Sequence, residues 1–257
     1  MASSHRNRTP SALEPYLDLP AEQSLVLLTN TLGCSANWLT SRFAASAIND
    51  PSSSTSVLLV SWMRDLVFWK DELRRAAGID VSRTPSFHFL DLLSESLSPN
   101  PTSVSALEKK ITTAITQATA SNTTTKTLLI LDYPSLLLAT TPTITSIVLS
   151  NLLLALRSHP SVLSTLLTTP ADGPFVSASL PDVNVAPTPV ESESAAFTVQ
   201  QAHAACTVLS VRELDTGAAR DVSGVLRVTK GGDGDAEVKE WEGLYLVGRD
   251  GGVKIVE

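Results

Sequence analysis

The sequence predicts an α/β fold, a mostly parallel sheet flanked by helices with antiparallel strands toward the C-terminus, and three observations carry that prediction. Short continuous apolar runs, of the kind buried on both faces of a parallel sheet, alternate with amphipathic helical stretches through the first two thirds of the chain. The stretches between the runs are long enough for right-handed strand–helix–strand crossovers. The last third carries shorter runs parted by Asp-Thr-Gly, Gly-Gly-Asp-Gly-Asp and Asp-Gly-Gly, which are hairpin signals. The organisation read from this is a flexible arm over residues 1–22 and one domain over residues 23–257. Residues 170–195 form a Pro/Ser-rich insertion.

The first run, "SLVLLT" (24–29), is a strand, and Trp38, Leu39, Phe43 and Ile48 after it recur at helical spacing until Asn49-Asp50-Pro51 ends the helix. A second strand, "VLLVS" (57–61), leads into a helix on which Trp62, Leu66, Trp69, Leu73 and Ala77 form one stripe, closed by Gly78 as a C′ residue. "FHFLDL" (87–92) is a third strand. The stripe Val104, Leu107, Ile111, Ile115 and Ala118 marks the next helix, for which Ser105 and Glu108 offer a capping box. The Thr-rich connector "TASNTTTKT" then delivers the strand "LLILD" (128–132), and "IVLSNLLLAL" (147–156) reads as a buried helix too short to span a bilayer. "VLSTLLTT" (162–169) is a further strand. The five prolines of residues 170–195 predict a segment that leaves the core and is dispensable for folding. "FTVQQAHAA" (197–205) turns as a helix. "CTVLSVREL", "GVLRVT", "GLYLVGR" and "GVKIVE" are expected as antiparallel strands at one sheet edge.

The composition bounds the function. In 257 residues, 43% are hydrophobic but only 5% aromatic, so aliphatic side chains fill a layered core. Two cysteines, Cys34 and Cys206, make no disulfide framework and point to a reducing compartment. A formal charge of −7 argues against holding nucleic acid through the overall field, so any nucleic-acid role needs partners. The start "MASSHRNRTP" lacks the apolar region of a signal peptide, and the expected location is the cytoplasm, with the nucleus as a second compartment. The sequons at Asn7 and Asn122 carry no meaning without a secretory route.

Chemistry is sparse. The stretch "SLVLLTNTLGCSANWLTSRF" (24–43) has a strand, a small polar loop and a helix, the setting of a phosphate-binding loop. Such a loop reads G-x-x-x-x-G-K-[ST]. Here Gly33 stands alone with Thr31, Cys34 and Ser35 around it, and no Gly-Lys-Ser/Thr occurs anywhere. "LLILDYP" places Asp132 at a strand end, where a metal-holding aspartate would stand, although any parallel strand can end in an aspartate that caps the next turn. His203 and Cys206 are three apart without a second pair, which is no zinc site, and His88 reads as a strand histidine. No G-x-S-x-G elbow anchors a hydrolase triad. Arg64, Arg74, Arg75 and Arg83 form a candidate RNA-facing rim, against the ordinary reading of a solvated helix face.

Taken in order, the loop position, "SWMRDLVFWKDELRRAAG", "FLDLLS", "LLILDYPSLLLA" and the C-terminal "LSVRELDTGAARDVSGVLRVT" with "LYLVGRDGGVKIVE" resemble the RecA-like ATPase superfamily, and within it the subunit-six family of the Elongator complex. The resemblance covers residues 25–169 and 196–256. It implies a RecA-like fold and a non-catalytic subunit of a heterohexameric ring with two related subunits. It further implies that the ring works beside the catalytic and scaffold subunits, binds tRNA and supports wobble-uridine modification, with no cofactor, metal or membrane contact. A catalytic RecA-like site needs a lysine on the phosphoryl group and a carboxylate after the second strand to orient water. This chain has Asn37 or Trp38 at the first place and Trp62 or Met63 at the second. Thr31, Gly33, Cys34, Ser35 and Asp132 are therefore expected to be a degenerate nucleotide site. A divergent NTPase using the backbone of residues 31–35, and a free-standing RecA-like regulator, are the alternatives.

Overall fold

Along the first strand, Leu25 and Leu27 pack into one helical layer while Val26 and Leu28 pack into the other, because successive side chains of a strand leave opposite faces. All four are buried, which is why this strand reads as a continuous apolar run and not an alternating one. The computed structural model describes residues 10, 12–18, 21–50, 54–96, 103–120, 125–178, 186–217, 219–233 and 238–256. Its elements are α1 (Glu14–Leu17), β1 (Leu25–Asn30), α2 (Asn37–Asn49), β2 (Thr55–Ser61), α3 (Leu66–Ala77), β3 (Phe87–Asp91), α4 (Leu93–Ser96), α5 (Val104–Ala118), β4 (Lys126–Asp132), α6 (Leu136–Thr140), α7 (Ser146–Arg157), β5 (Val162–Pro170), α8 (Pro174–Ser177), α9 (Pro189–Ala204), β6 (Thr207–Arg212), β7 (Gly224–Lys230), β8 (Trp241–Val247) and β9 (Val253–Val256).

The nine strands form one sheet in the order β3-β2-β4-β5-β1-β6-β7-β8-β9. Strands β3 through β6 in that order are parallel, and β7, β8 and β9 return antiparallel. One layer, with α2 and α3, buries Trp38, Phe43, Trp69 and Leu73 against Val57, Ile130 and Leu209. The opposite layer, with α5, α7 and α9, buries Ile111, Ile115, Leu152 and Phe197 against Leu58, Leu129 and Leu167. Ser150, which interrupts the apolar run of α7, donates to Gln200 Oε1 at 2.8 Å and accepts from Gln201 Nε2 at 3.0 Å, so the polar position is spent on the α7–α9 contact. Among the described residues no helix is long and apolar enough to cross a membrane.

Several expectations are corrected. Leu13 and Leu17 of the presumed arm are buried in the core, and Tyr16 stacks on Trp241 at 6.4 Å, so apolar side chains tie this part of residues 1–22 down; residues 1–9 lie outside the described chain. Helix α3 begins at Leu66, after an Asp65 N-cap that accepts from Phe68 N–H, so Trp62 belongs to the strand end and not to the helical stripe. The N-cap of α5 is Ser103, accepting from Ala106 N–H, which leaves no capping box at Ser105 and Glu108. Strand β6 is parallel to β1, so only the last three strands are antiparallel. The insertion over 170–195 contains α8 and the first turns of α9, whose start is set by Pro189 and a Thr188–Glu191 capping box. Ser194 and Ala195 are buried there, so the end of that segment joins the core, while residues 179–185 lie outside the described chain.

Candidate functional site

The C-terminal ends of β1, β4 and β5 meet at one edge of the sheet, the place where α/β sheets bind ligands. The loop between β1 and α2 crosses that edge. Gly33, with φ of 89°, makes the turn that a side chain would strain, and Cys34 N–H closes it onto Thr31 O at 3.0 Å. Thr31 N–H is given to Val211 O at 3.1 Å, and Leu32 N–H to the Asp172 carboxylate at 2.7 Å. Three of the five amides over residues 31–35 are thus already committed within the chain. A second carboxylate, Glu213, lies so near that a Cβ on Gly33 would come within 1.9 Å of its Oε1. Cys34 turns inward: its thiol is buried, donates to Ser223 O at 3.4 Å, and is pushed up in pKa by that burial. Ser35 Oγ accepts from Asn37 N–H at 3.2 Å, ahead of α2.

Asp132 closes β4 and is fully buried. Ser61 Oγ donates to its Oδ2 at 2.7 Å and Thr168 Oγ1 to its Oδ1 at 3.1 Å, from the neighbouring strands β2 and β5. Its cation is Arg64, whose Nη1 stands 3.3 and 3.4 Å from the two oxygens. The guanidinium lies between two rings, 5.1 Å from the centroid of Phe68 and 5.0 Å from that of Tyr133. Burial pushes the Asp132 carboxyl above its ordinary value, while Arg64 and the two hydroxyls pull it back. Tyr133 is held at φ of 57°, uncommon for an aromatic residue. Its N–H donates to Thr168 Oγ1 at 3.0 Å and its hydroxyl to Asn30 Oδ1, so the ring bridges from β4 to the end of β1.

Between the loop, Arg64, Tyr133 and the segment after β5 lies an open cleft of about 540 Å³. Its wall is largely apolar, with Leu32, Met63, Leu136, Phe175 and Val190 facing in beside Asp172.

The structure brings Thr31, Gly33, Cys34, Ser35 and Asp132 to one edge, but it separates the four arginines. Arg64 turns to Asp132, Arg74 pairs with Asp71 at 3.6 Å, Arg75 with Glu72, and Arg83 with Asp80 at 3.5 Å. Asn30, Tyr133 and Asp172 were not singled out from the sequence. The tyrosine stands directly after a strand-ending aspartate, and that adjacency was the available signal. Cys206 donates to Leu25 O at 3.1 Å, a structural bond, and among the described residues no group of three or more His, Cys, Asp or Glu could hold a metal. Half-buried on β3, His88 is lowered in pKa by its burial.

A KaiC-like protein of the hyperthermophilic archaeon Pyrococcus horikoshii OT3 superposes on this chain with a TM-score of 0.56 over 92% of this chain and 90% of its own. The chain has a RecA-like fold. At 13% identity the likeness is one of architecture, with the mostly parallel sheet, its antiparallel C-terminal strands and the flanking helices as the shared frame. No family model matches the sequence, and a search of curated proteins returns no match.

Proposed function

We propose that this RecA-like chain is a non-catalytic subunit that acts by assembly. In this reading it joins two related RecA-like subunits in an Elongator-type heterohexameric ring, and the ring, beside the catalytic and scaffold subunits, binds tRNA and supports wobble-uridine modification. The single observation behind the non-catalytic reading is that the chain fills its own nucleotide site: Arg64 takes the acceptors of Asp132, and Asp172 takes a loop amide. The residues present do not suit a magnesium-bound triphosphate. Such a ligand needs free loop amides, a lysine and a carboxylate open to the metal, and here it would meet two carboxylates near the loop instead. The Elongator assignment rests on the order and wording of the sequence motifs given above.

Calorimetry with Mg-ATP and the isolated chain is expected to show no binding. Micromolar affinity abolished by Asp132→Ala would instead support a divergent NTPase. With its net charge of −7 the lone chain is expected to leave tRNA unbound in filter assays, because affinity grows with the number of phosphate contacts made. Adding the two RecA-like partner subunits is expected to give salt-sensitive binding, since weak patches repeated around a ring act together. An assembly that binds tRNA no better than the chain alone would end the adaptor reading.

A further inference from the structure

Of the seven large apolar side chains exposed among the described residues, Leu32, Met63 and Val190 line the cleft and Phe68 lines the hollow beside it. Leu32 is 85% exposed, Met63 47%, Val190 37% and Phe68 36%. An apolar rim of this kind on a folded chain marks a contact surface. Two carboxylates at or beside it stand outside any ion pair among the described residues. Arg64 and Asp132 neutralise each other, which leaves Asp172, holding Leu32 N–H, and Glu213, against Gly33, as carboxylates without a cation partner among the described residues. Arg220 lines the adjoining hollow with Glu213 but forms no ion pair with it.

We propose that the cleft is a socket for a protein segment in which an arginine or lysine is flanked by aliphatic side chains. The cation would meet Asp172, with Glu213 adding to the field, and the aliphatic neighbours would cover Leu32, Met63 and Val190. Charge complementarity selects this occupant. A phosphate would face the same carboxylates and find the Leu32 amide taken, and an uncharged apolar segment would bury Asp172 without a partner, which is costly. The volume of about 540 Å³ suits a few side chains, since clefts of this order hold small ligands. The inference deepens the assembly reading by naming the chemistry that a neighbouring subunit presents to this site.

The test uses the full chain and acetyl-leucyl-arginyl-leucine amide, followed by the amide NMR resonances of residues 31–35. Saturable shifts with Kd of about 1 mM or tighter are expected. The citrulline analogue, of the same shape without the charge, is expected to bind about fivefold more weakly, as is the wild-type probe at about 0.5 M salt. Asp172→Asn keeps an acceptor for Leu32 N–H and removes the charge, and it too is expected to weaken the probe about fivefold. Absence of shifts at about 5 mM probe, equal binding of the citrulline analogue, or shifts of the same amides by tripolyphosphate would overturn the socket. These titrations need no partner subunit. A chain that binds the probe but fails to co-purify with the two RecA-like subunits loses the ring reading alone, and an intact assembly with a silent probe loses the socket alone.

Discussion

Removing the Arg64 guanidinium would leave the Asp132 carboxylate buried with two hydroxyls and no cation. Breaking such a pair from one side costs about 3 kcal/mol, so Arg64→Ala is expected to lower the melting temperature by on the order of ten degrees. The pH dependence has a definite sign. Burial raises the folded-state pKa of Asp132 above its ordinary 3.8, and such a group contributes stability that is present below that value and lost as pH rises through the folded one. Without Arg64 the folded value climbs further. The gap in melting temperature between wild type and Arg64→Ala should therefore narrow as pH falls from about 8 to 5; a gap that stays constant or widens would show that the carboxylate is not the source of the loss. That Asp132 ends a strand was legible in "LLILD", because four apolar residues lead straight to it. Its pairing with Arg64 was not, because that depends on β2 lying next to β4, which no local pattern encodes. The left-handed Tyr133 was equally hidden: such a backbone costs about 1 kcal/mol or more and persists through Asn30 and Thr168, both distant in sequence.

Helices were legible where one stripe faced the sheet, as in α5, whereas α7, expected to be buried from its apolar run, leaves Ile147 and Leu154 exposed, and helix limits were missed where a cap or a crossover decided them. Helix α9 is the instructive case, because its first turns carry the prolines and glutamates that suggested a loop. The proline occupies the first helical turn, where its missing N–H costs nothing, and of the glutamates Glu191 caps this same helix while Glu193 reaches its neighbour. Glu193 accepts Ser146 N–H at 2.5 Å and so caps the N-terminus of α7 from the neighbouring helix. That bond, the largest influence on it, lowers the Glu193 pKa from 4.5, so its contribution is present above that value and lost as pH falls through the folded one. Glu193→Gln is expected to cost about 0.5 kcal/mol at neutral pH, seen as a shift of one or two degrees. The difference from wild type should shrink in thermal scans as pH falls below 4.5, and one that stays constant on further acidification would assign the loss to packing.

For the molecule as a whole, the α/β class and the turn to antiparallel strands could be read directly, since continuous apolar runs and Gly/Asp turns are local signals. The order of strands could not. It places β1 between β5 and β6, with Leu25 opposite Thr165 and Val26 opposite Thr207. This has a consequence for synthesis on the ribosome. At roughly 5–20 residues per second, the most apolar early segment emerges on the order of ten seconds before either strand that will flank it. Strand β2 lies between β3 and β4, so these three can pair in that interval, whereas β1 waits as an unpaired hydrophobic ribbon, the kind of segment that chaperones cover. Stalled nascent chains that end before Val162 should therefore be cleaved by a nonspecific protease within residues 25–30, and chains that have released β6 should resist it. Early resistance would mean that β1 is first sheltered by some other contact, and would shift the burden of protecting the nascent chain away from the cell.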